Sequence, residues 1–249
     1  MTEAQGKNLI VTGAGRGIGA AIARLAGSRG YNVCVNYVRN RDAAKAVAEA
    51  VREAGRKAIV VKADMGSESD IVKMFEIVDD ELGTICGLVN NASVTVRKCR
   101  IEEVDSSTLE ETWRTNVSAY FLCAREAIKR MSTKSGGSGG AIVNISSVAA
   151  LRANPFDWVH YGASKGAIDT FTLGLAFEGV EHGIRCNAIR PGPIDTEMNT
   201  SEHFARLISS VPMKRVGQPE EVAEAVMFML SENSSYCTGS ILNVSGGRC

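Results

Sequence analysis

Short apolar runs alternate with longer runs of helical periodicity along almost the whole chain. Repeated strand–helix–strand units of this spacing build a parallel sheet that carries helices on both faces. The strand runs are nearly continuous in apolar residues, as expected where helices cover both faces of a sheet. The 249 residues therefore predict one α/β domain over 1–249, doubly wound around a seven-stranded, mostly parallel sheet.

The boundaries of the elements follow from the periodicity and from capping residues. Ser67, with Asp70 three residues further on, marks the start of a helix, and Gly83 marks its end. The predicted strands are 8–12, 31–37, 57–62, 86–90, 141–145, 185–189 and 240–244. The other predicted helices are 19–30, 41–54, 109–131, 161–181, 202–210 and 219–231.

Charge and hydropathy argue against two classes of partner. The chain has 28 basic and 28 acidic residues, so it lacks the basic excess that is typical of nucleic-acid binders. Its apolar runs fall well short of the roughly 20 residues that span a bilayer, and its first residues do not resemble an export signal. We therefore expect a cytoplasmic protein that binds neither nucleic acid nor membrane.

The cysteines and histidines do not indicate a metal site. The seven cysteines are an odd number, widely separated and without a Cys-x-x-Cys pair. A disulfide framework or a zinc site would show tighter spacing. The three histidines do not cluster at ligand spacing either. We expect buried free thiols and no metal.

Four glycines separate the first predicted strand from the first predicted helix, in the order Gly13, Gly15, Gly17 and Gly19. A tight turn between a strand and a helix start suits a pyrophosphate, because glycines let the backbone approach and the helix offers N–H groups. No Gly-Lys-Ser/Thr follows, which excludes a P-loop. The sequence therefore predicts a dinucleotide-binding Rossmann fold; the alternative is a glycine-rich turn without a ligand.

The end of the second strand indicates which dinucleotide binds there. An NAD site commonly has an acidic residue about 20 positions after the glycines, but Asn36 stands at this point. Arg16 in the loop and Arg39 and Arg41 beyond the strand favour a 2′-phosphate. We therefore predict that NADP(H) is preferred, with NAD(H) possible, and that Asn36→Asp favours NAD. The alternative is that Arg39 and Arg41 are solvated charges at a helix start.

Tyr161 and Lys165 lie four residues apart at the start of a predicted helix, and therefore on one face of it. A tyrosine becomes a base at neutral pH only if its pKa falls by ~3 units, which needs ~4 kcal/mol of differential stabilisation. A neighbouring ammonium is one source of that stabilisation. Ser147 follows strand five, at the edge where open α/β sheets bind ligands. The alternative is an ordinary pair on the helix surface.

Six motifs occur in order: Thr-Gly-Ala-Gly-Arg-Gly-Ile-Gly (12–19), Asn-Asn-Ala (90–92), Asn116, Ile-Ser-Ser (145–147), Tyr-x-x-x-Lys (161–165) and Arg-Pro-Gly (190–192). Together they resemble the short-chain dehydrogenase/reductase family over essentially the whole chain. The resemblance is greatest to the ketoacyl-carrier-protein reductases and to the glucose-dehydrogenase-like members. It implies an NADP(H)-preferring oxidoreductase that acts on a small carbonyl compound or secondary alcohol, assembled as a homo-oligomer, specifically a tetramer.

The resemblance also implies roles for individual residues. Tyr161 would donate and accept the proton, and Lys165 would lower the pKa of Tyr161 and hold the nicotinamide ribose. Ser147 would orient the carbonyl, and Asn116 would anchor a water relay. The implied cofactor contacts are Gly13, Gly15, Arg16, Gly17, Ile18 and Gly19 in the loop, Asn36 and Arg39, Asp64 and Met65 at the adenine, Asn91 and Ala92 at the adenosine ribose, and Pro191, Ile194 and Thr196 at the carboxamide and pyrophosphate.

The sequence departs from the family pattern at three places. Ser93 stands where glycine is usual, Ser245 stands where aspartate is usual, and the interval from Ser147 to Tyr161 is one residue longer than the commonest spacing. The first two changes affect local geometry, and the third reshapes the substrate loop, which we place around 193–212. No catalytic group is lost, which argues against the alternative of a dinucleotide-binding regulator without turnover.

Overall fold

The computed structural model describes residues 6–196 and 208–248. The strands are β1 (Lys7–Val11), β2 (Tyr31–Tyr37), β3 (Ala58–Lys62), β4 (Ile85–Asn90), β5 (Gly140–Ile145), β6 (Ile184–Pro191) and β7 (Ile241–Val244). The helices are α1 (Gly17–Ser28), α2 (Arg41–Glu53), α3 (Glu68–Glu81), α4 (Ser106–Trp113), α5 (Ala119–Met131), α6 (Ala149–Arg152), α7 (Val159–Gly179) and α8 (Pro219–Leu230).

The seven strands form one sheet in the order β3-β2-β1-β4-β5-β6-β7. Every pairing between them is parallel. The predicted doubly wound sheet is therefore confirmed, and it is entirely rather than mostly parallel. Because the strand order reverses direction between β1 and β4, a crevice opens beyond the carboxyl ends of these two strands, where open α/β sheets bind their ligands.

Two apolar cores lie on opposite faces of the sheet. Successive side chains of a strand point to opposite faces, so Leu9 and Val11 belong to one core and Ile10 belongs to the other. Helices α1, α2 and α8 cover the first core, and α3, α5 and α7 cover the second. This packing explains why the strands have nearly continuous apolar sequences.

A local signal sets the start of α3. The Ser67 hydroxyl accepts a hydrogen bond from the Asp70 N–H at 3.3 Å and so caps α3, as predicted. The predicted helix over 109–131 is divided, because a π-helical turn at Arg114–Ser118 separates α4 from α5. Residues 197–207, which include most of the predicted helix over 202–210 and much of the predicted substrate loop, lie outside the described residues. In the part of the chain that the structure describes, no helix is long and apolar enough to cross a membrane.

Candidate active site

The glycine loop after β1 is a tight turn that leaves no room for larger residues at two of its positions. Gly13 has a φ of +62°, in the left-handed region that favours glycine. A Cβ atom on Gly19 would lie 2.5 Å from the Gly13 carbonyl oxygen and 2.6 Å from Asn91 Nδ2. The first turn of α1 is thus drawn tightly against the carboxyl ends of β1 and β4.

The start of α1 is suited to hold an anion. Arg16 precedes the helix in extended conformation and makes no side-chain capping bond, and the first turn has no acidic residue. The backbone N–H groups and the positive end of the helix dipole are therefore available to a phosphate group. Thr196 lies over the same helix start, since a Cβ atom on Gly17 would be 3.4 Å from Thr196 Cγ2. Ile18 packs against the core beneath it. This loop fits the pyrophosphate of a dinucleotide.

A pair of polar residues joins β1 to β4 beside this loop. The Thr12 hydroxyl accepts hydrogen bonds from the Asn91 N–H at 2.9 Å and the Ala92 N–H at 3.0 Å. In return, Asn91 Nδ2 donates to the Thr12 carbonyl at 2.8 Å. The Asn91 side chain is thus used to hold the edge of the crevice together, and the backbone of Asn91 and Ala92 lines it.

Asn36 does not lie where the sequence analysis placed it. Its side chain is 0% exposed, because Oδ1 accepts from the Gly13 N–H at 2.9 Å and Nδ2 donates to the Ala63 carbonyl at 3.0 Å. It therefore supports the glycine loop from beneath and does not face a ribose. Asn36→Asp would place a carboxylate against the Ala63 carbonyl oxygen and not at a ribose, so the structure gives no physical support for the predicted shift towards NAD, which stays a prediction.

The residues that could select a 2′-phosphate are arginines around the end of β2. Arg16, Arg39 and Arg41 are all exposed. Tyr37 ends β2 with its side chain buried, and its Cβ is 3.7 Å from the place that a Cβ on Gly15 would take. The carboxyl end of β2 is therefore flanked by cations, in the loop before α1 and at the start of α2.

Two further predicted contacts lie past β3. Asp64 is half-buried, and its Oδ1 accepts from the Gly66 N–H at 2.8 Å, which fixes the carboxylate in the turn. Met65 is buried in the core, with its Sδ 3.9 Å from Cys123 Sγ. Only the backbone of Met65 therefore remains for a cofactor contact.

Lys165 is held in the interior of the site. Its side chain is 1% exposed, and Nζ donates to the Ile145 carbonyl at 2.8 Å and to the Tyr120 hydroxyl at 3.3 Å. Burial lowers the pKa of Lys165 to about 7, and the Asp169 carboxylate, one turn further along α7, acts in the opposite direction. The residue is poised between its charged and neutral forms near neutral pH.

Tyr161 lies in the first turn of α7, half-buried, with Lys165 Nζ 5.7 Å from the centre of its ring. Burial raises the pKa of Tyr161 above its ordinary value, whereas hydrogen bonding with Ser147 and Ser93 lowers it. The net direction is opposite to the one that the resemblance implies, because burial outweighs the polar neighbours. In this structure, Tyr161 is a neutral phenol, which is the form that can donate a proton.

Ser147 is positioned by the ends of two neighbouring strands. It lies two residues past β5, and its hydroxyl accepts from the Ala149 N–H at 3.1 Å. The Val148 N–H donates to the Pro191 carbonyl at 3.1 Å, which joins this turn to the end of β6. Beyond Pro191 the chain continues to Ile194, which is buried and pairs with Gly217 as an isolated bridge. The serine and the predicted carboxamide contact thus lie at one edge of the sheet.

Asn116 is buried within the π-helical turn, and its side chain is fully engaged by protein groups. Nδ2 donates to the Val94 carbonyl at 2.8 Å and to the Ser164 hydroxyl at 3.2 Å. Oδ1 accepts from the Val94 N–H at 2.8 Å and lies 3.1 Å from Ser93 Oγ. The side chain therefore fixes the segment after β4, and only the backbone of Asn116 is left for the water relay that the resemblance implies.

One residue at the centre of this site, Tyr120, is not among the residues that the sequence predicts. Tyr120 is buried, and its hydroxyl donates to the Ile145 carbonyl at 3.0 Å, the same oxygen that Lys165 contacts. Burial raises the pKa of Tyr120 well above its usual value, so it stays neutral. The available signal was its spacing of one helical turn from Asn116.

Among the described residues, no group of three or more His, Cys, Asp and Glu side chains could hold a metal ion. His160 is buried beside Tyr161, with Nε2 3.1 Å from the Thr95 carbonyl oxygen. It therefore joins α7 to the segment after β4.

Known proteins share this architecture along nearly the whole chain. A family model described as enoyl-(acyl carrier protein) reductase matches residues 13–248. The uncharacterized oxidoreductase YgfF of Escherichia coli is 47% identical over 243 residues, 96% of this chain and 98% of that protein. A short-chain dehydrogenase/reductase from Serratia marcescens has a TM-score of 0.91 at 34% identity, covering 98% of each chain. A blue fluorescent protein from a metagenomic library, solved in complex with NADPH, has a TM-score of 0.91 at 33% identity, also covering 98% of each chain.

The parallel sheet with a glycine loop at its crevice, together with the matching family model and relatives, defines an oxidoreductase that uses a nicotinamide dinucleotide. Such enzymes interconvert an alcohol and a carbonyl group in a small molecule. The chain belongs to the short-chain dehydrogenase/reductase family.

Proposed function

We propose that the protein is an NADP(H)-preferring oxidoreductase that interconverts a small carbonyl compound and the corresponding secondary alcohol. One observation carries the proposal: Lys165 Nζ is buried and lies 5.7 Å from the centre of the Tyr161 ring, while burial raises the pKa of Tyr161 and so keeps its phenol neutral. Ser147 follows β5 at the same edge of the sheet. These groups lie at the carboxyl edge of the sheet, on which the anion-binding start of α1 also opens. A proton donor and a dinucleotide site are thus provided by one crevice.

The side chains divide the chemistry of carbonyl reduction between them. The bound nicotinamide supplies the hydride for the carbonyl carbon. Ser147 donates a hydrogen bond to the carbonyl oxygen and orients it, and Tyr161 gives its proton to that oxygen as the alcohol forms. In alcohol oxidation the phenolate of Tyr161 takes the hydroxyl proton back. Lys165 is close enough to stabilise that phenolate by its charge.

The same crevice provides groups for the cofactor. The start of α1 with Thr196 above it would hold the pyrophosphate, Lys165 the nicotinamide ribose, and the backbone of Ile194 the carboxamide. Asp64 and the backbone of Met65 would meet the adenine, and the backbone of Asn91 and Ala92 the adenosine ribose.

Consumption of NADPH with a panel of aldehydes and ketones tests this function. At least one compound should cause loss of NADPH that requires both the enzyme and the carbonyl, and the matching alcohol should regenerate NADPH at high pH. Binding of NADPH without consumption, across the whole panel and in both directions, would instead favour the dinucleotide-binding regulator.

The arginines at the end of β2 predict the choice of cofactor. We expect Arg16→Ala to lower kcat/KM for NADP(H) by about one to two decades, because a charge-assisted contact contributes roughly 1.5–3 kcal/mol. The kcat/KM for NAD(H) should change little. Steady-state kinetics with both cofactors measures the ratio, and Arg24→Ala, an exposed arginine on the outer side of α1, serves as the control. Equal losses with both cofactors, or a wild-type preference for NAD(H), would contradict the prediction.

Two exposed apolar patches support assembly into a homotetramer. One patch includes Leu173 and Phe177 one turn apart on α7, and Phe177 is 81% exposed. The other includes Phe228 on α8 and Leu242 on β7, the edge strand of the sheet. Each patch can pair with its own copy about a two-fold axis, and two different two-fold interfaces generate a tetramer with D₂ symmetry.

Light scattering at micromolar concentration should therefore give a tetramer mass. Phe177→Glu is expected to reduce it to a dimer, because a charge on the first patch opposes burial there, whereas Lys62→Glu on an exposed strand position should leave it unchanged. A monomer mass for the wild-type protein would refute the assembly.

The cysteines suit the cytoplasm that the sequence analysis predicts. The six described cysteines are free thiols, and Cys34, Cys99, Cys123 and Cys186 are buried. Burial raises the pKa of Cys123 and of Cys186 to about 12 each, so these thiols are unreactive. Free thiols are typical of proteins that work in a reducing compartment, and we therefore propose that location.

A further inference from the structure

Two of the three hydrogens of the Lys165 ammonium are used inside the protein. Nζ donates to the Ile145 carbonyl at 2.8 Å and to the Tyr120 hydroxyl at 3.3 Å. The Tyr120 hydroxyl donates its own hydrogen to the same Ile145 carbonyl at 3.0 Å. A carbonyl oxygen accepts two hydrogen bonds, and a phenol hydroxyl both donates and accepts. The three groups therefore form a closed triangle, and one hydrogen of the ammonium remains for a ligand.

The triangle is fixed to a strand end and to two helices. Its carbonyl belongs to the last residue of β5, and the next hydroxyl, Ser146 Oγ, donates to the backbone carbonyl of Lys165 at 3.1 Å. Asn116 Nδ2 donates to the Ser164 hydroxyl at 3.2 Å. One helical turn later, Tyr120 meets the next residue of α7, Lys165. The position of the Tyr120 hydroxyl relative to Lys165 is thus set by packing on both sides.

Burial makes the Tyr120 oxygen important for the charge of Lys165. Both side chains are 1% exposed, and burial lowers the pKa of Lys165 to about 7. A buried charge needs hydrogen-bonding partners, and the described residues give Nζ two acceptors, of which Tyr120 provides one. Nζ also lies 5.3 Å from the centre of the Tyr120 ring and 5.7 Å from that of Tyr161, within the range at which an aromatic ring attracts a cation.

The other charged or titratable groups nearby do not depend on the Tyr120 hydroxyl. They are Tyr161 and Asp169 on α7, Cys123 on α5 and Arg190 on β6, whereas β5 has none. Asp169 is paired with Arg190 at 2.8 Å. Burial raises the pKa of Cys123 to about 12 and raises that of Tyr161, so both stay neutral. Removal of the Tyr120 hydroxyl therefore changes the surroundings of Lys165 at one contact.

We propose that Tyr120 is a positioning residue that keeps the Lys165 amino group charged and leaves one of its hydrogens for the nicotinamide ribose. Lys165 then presents a fixed positive charge to Tyr161 when the phenol loses its proton. The proposal rests on the proposed role of Lys165 beside Tyr161. It gives the buried hydroxyl of Tyr120 a part in the reaction in addition to its part in packing.

The test removes the hydroxyl and keeps the ring, with Tyr120→Phe, and measures the pKa of Lys165 directly. Isotope-labelled lysine is titrated by NMR in the cofactor-free protein, with Lys165→Met to assign the signal. The pKa of Lys165 should be lower by about one unit or more in Tyr120→Phe, because a hydrogen bond to the charged group is lost.

Tyr31→Phe is the matched control. Tyr31 is also buried beside a lysine, with Lys7 Nζ 5.7 Å from the centre of its ring. It begins β2, however, and so lies at the opposite end of the sheet from the crevice. Tyr31→Phe should leave the pKa of Lys165 and the kinetics unchanged.

The kinetic effect of Tyr120→Phe follows from the same shift. Above the pKa of Lys165, a pKa lower by one unit means a tenfold smaller population of the ammonium. We therefore expect kcat for alcohol oxidation to fall by about 10-fold and the Kd for NADPH to rise by up to about 10-fold. Substrate KM should stay within a few-fold, since Tyr120 does not reach the substrate.

An unchanged pKa of Lys165 in Tyr120→Phe would overturn the proposal even if the variant were slower, because the hydroxyl would then act on packing alone. An equal shift in Tyr31→Phe would also overturn it, since the shift would not depend on the contact with Lys165. The NMR titration needs no turnover. It therefore decides the role of Tyr120 even if no substrate is consumed, and failure of the proposed function is distinguished from failure of this inference.

Discussion

Tyr161→Phe is expected to reduce turnover by roughly 10²–10⁴-fold, the range that general acid–base catalysis contributes, while NADPH affinity stays within a few-fold. The substitution removes the hydroxyl that gives its proton to the carbonyl oxygen and leaves the aromatic ring in place. The Ser147 hydroxyl remains available to orient the substrate, so substrate KM should change much less than kcat. The helix should also be unaffected, because Lys165 donates its hydrogen bonds to the Ile145 carbonyl and the Tyr120 hydroxyl and not to Tyr161.

Steady-state kinetics and NADPH fluorescence titration measure the two effects separately. Tyr236→Phe is the matched control, since Tyr236 is fully exposed near β7 and loses the same atom. The wild-type pH profile adds a second check. Reduction needs the neutral phenol, so its rate should fall only as pH rises through the raised pKa of Tyr161. A Tyr161→Phe variant with comparable kcat would require another proton donor.

The sheet was predictable because its signals are local. Each strand is a short apolar run. A strand that is buried on both faces of the sheet needs apolar residues at nearly every position. Burial on both faces also means that the sequence does not show which way an individual polar side chain points. For this reason the direction of the Asn36 side chain could not be predicted. Along β2 every position is buried, so no alternation of polar and apolar residues shows which side chain points beneath the glycine loop. That information lies in the Asn36 contacts with Gly13 and Ala63, which are distant in sequence.

Only the part of the candidate site that lies within one short sequence motif could be predicted. Tyr161 and Lys165 are one helical turn apart, and their proximity follows from helix geometry alone. Ser93 and Tyr120 reach the same site from the segment after β4 and from α5. The π-helical turn that positions Asn116 contains no proline or glycine from which it could be predicted. Tertiary packing therefore decides how Ser93, Tyr120 and Asn116 meet, and the only signal in the sequence is the spacing of one helical turn between Asn116 and Tyr120.

Lys165→Met is expected to damage both turnover and cofactor binding, because one ammonium serves the phenolate and the nicotinamide ribose. We expect kcat to fall by about two decades or more and the Kd for NADPH to rise by about one to two decades, the range of a lost charge-assisted hydrogen bond. Methionine keeps most of the side-chain volume, so no large cavity forms. The Ile145 carbonyl also keeps a donor in Tyr120, at 3.0 Å. Unchanged NADPH affinity would contradict the ribose contact.

The same substitution should change how the stability of the cofactor-free protein depends on pH. The pKa of Lys165 is about 7 in the folded protein and roughly 10.4 in an unfolded chain. Between these values the unfolded chain binds more protons, so Lys165 makes the free energy of unfolding rise with pH by at most about 1.4 kcal/mol per pH unit. Below pH 7 this gain is absent, since the buried ammonium is charged in both states. Lys165→Met lacks the effect, so wild type should gain stability relative to the variant from pH 7 to pH 9 in urea unfolding at one fixed protein concentration. If the free energies of unfolding of wild type and Lys165→Met depended on pH in the same way, burial would not destabilise the Lys165 ammonium. A loss of NADPH affinity in the variant would then come from the missing ribose contact alone.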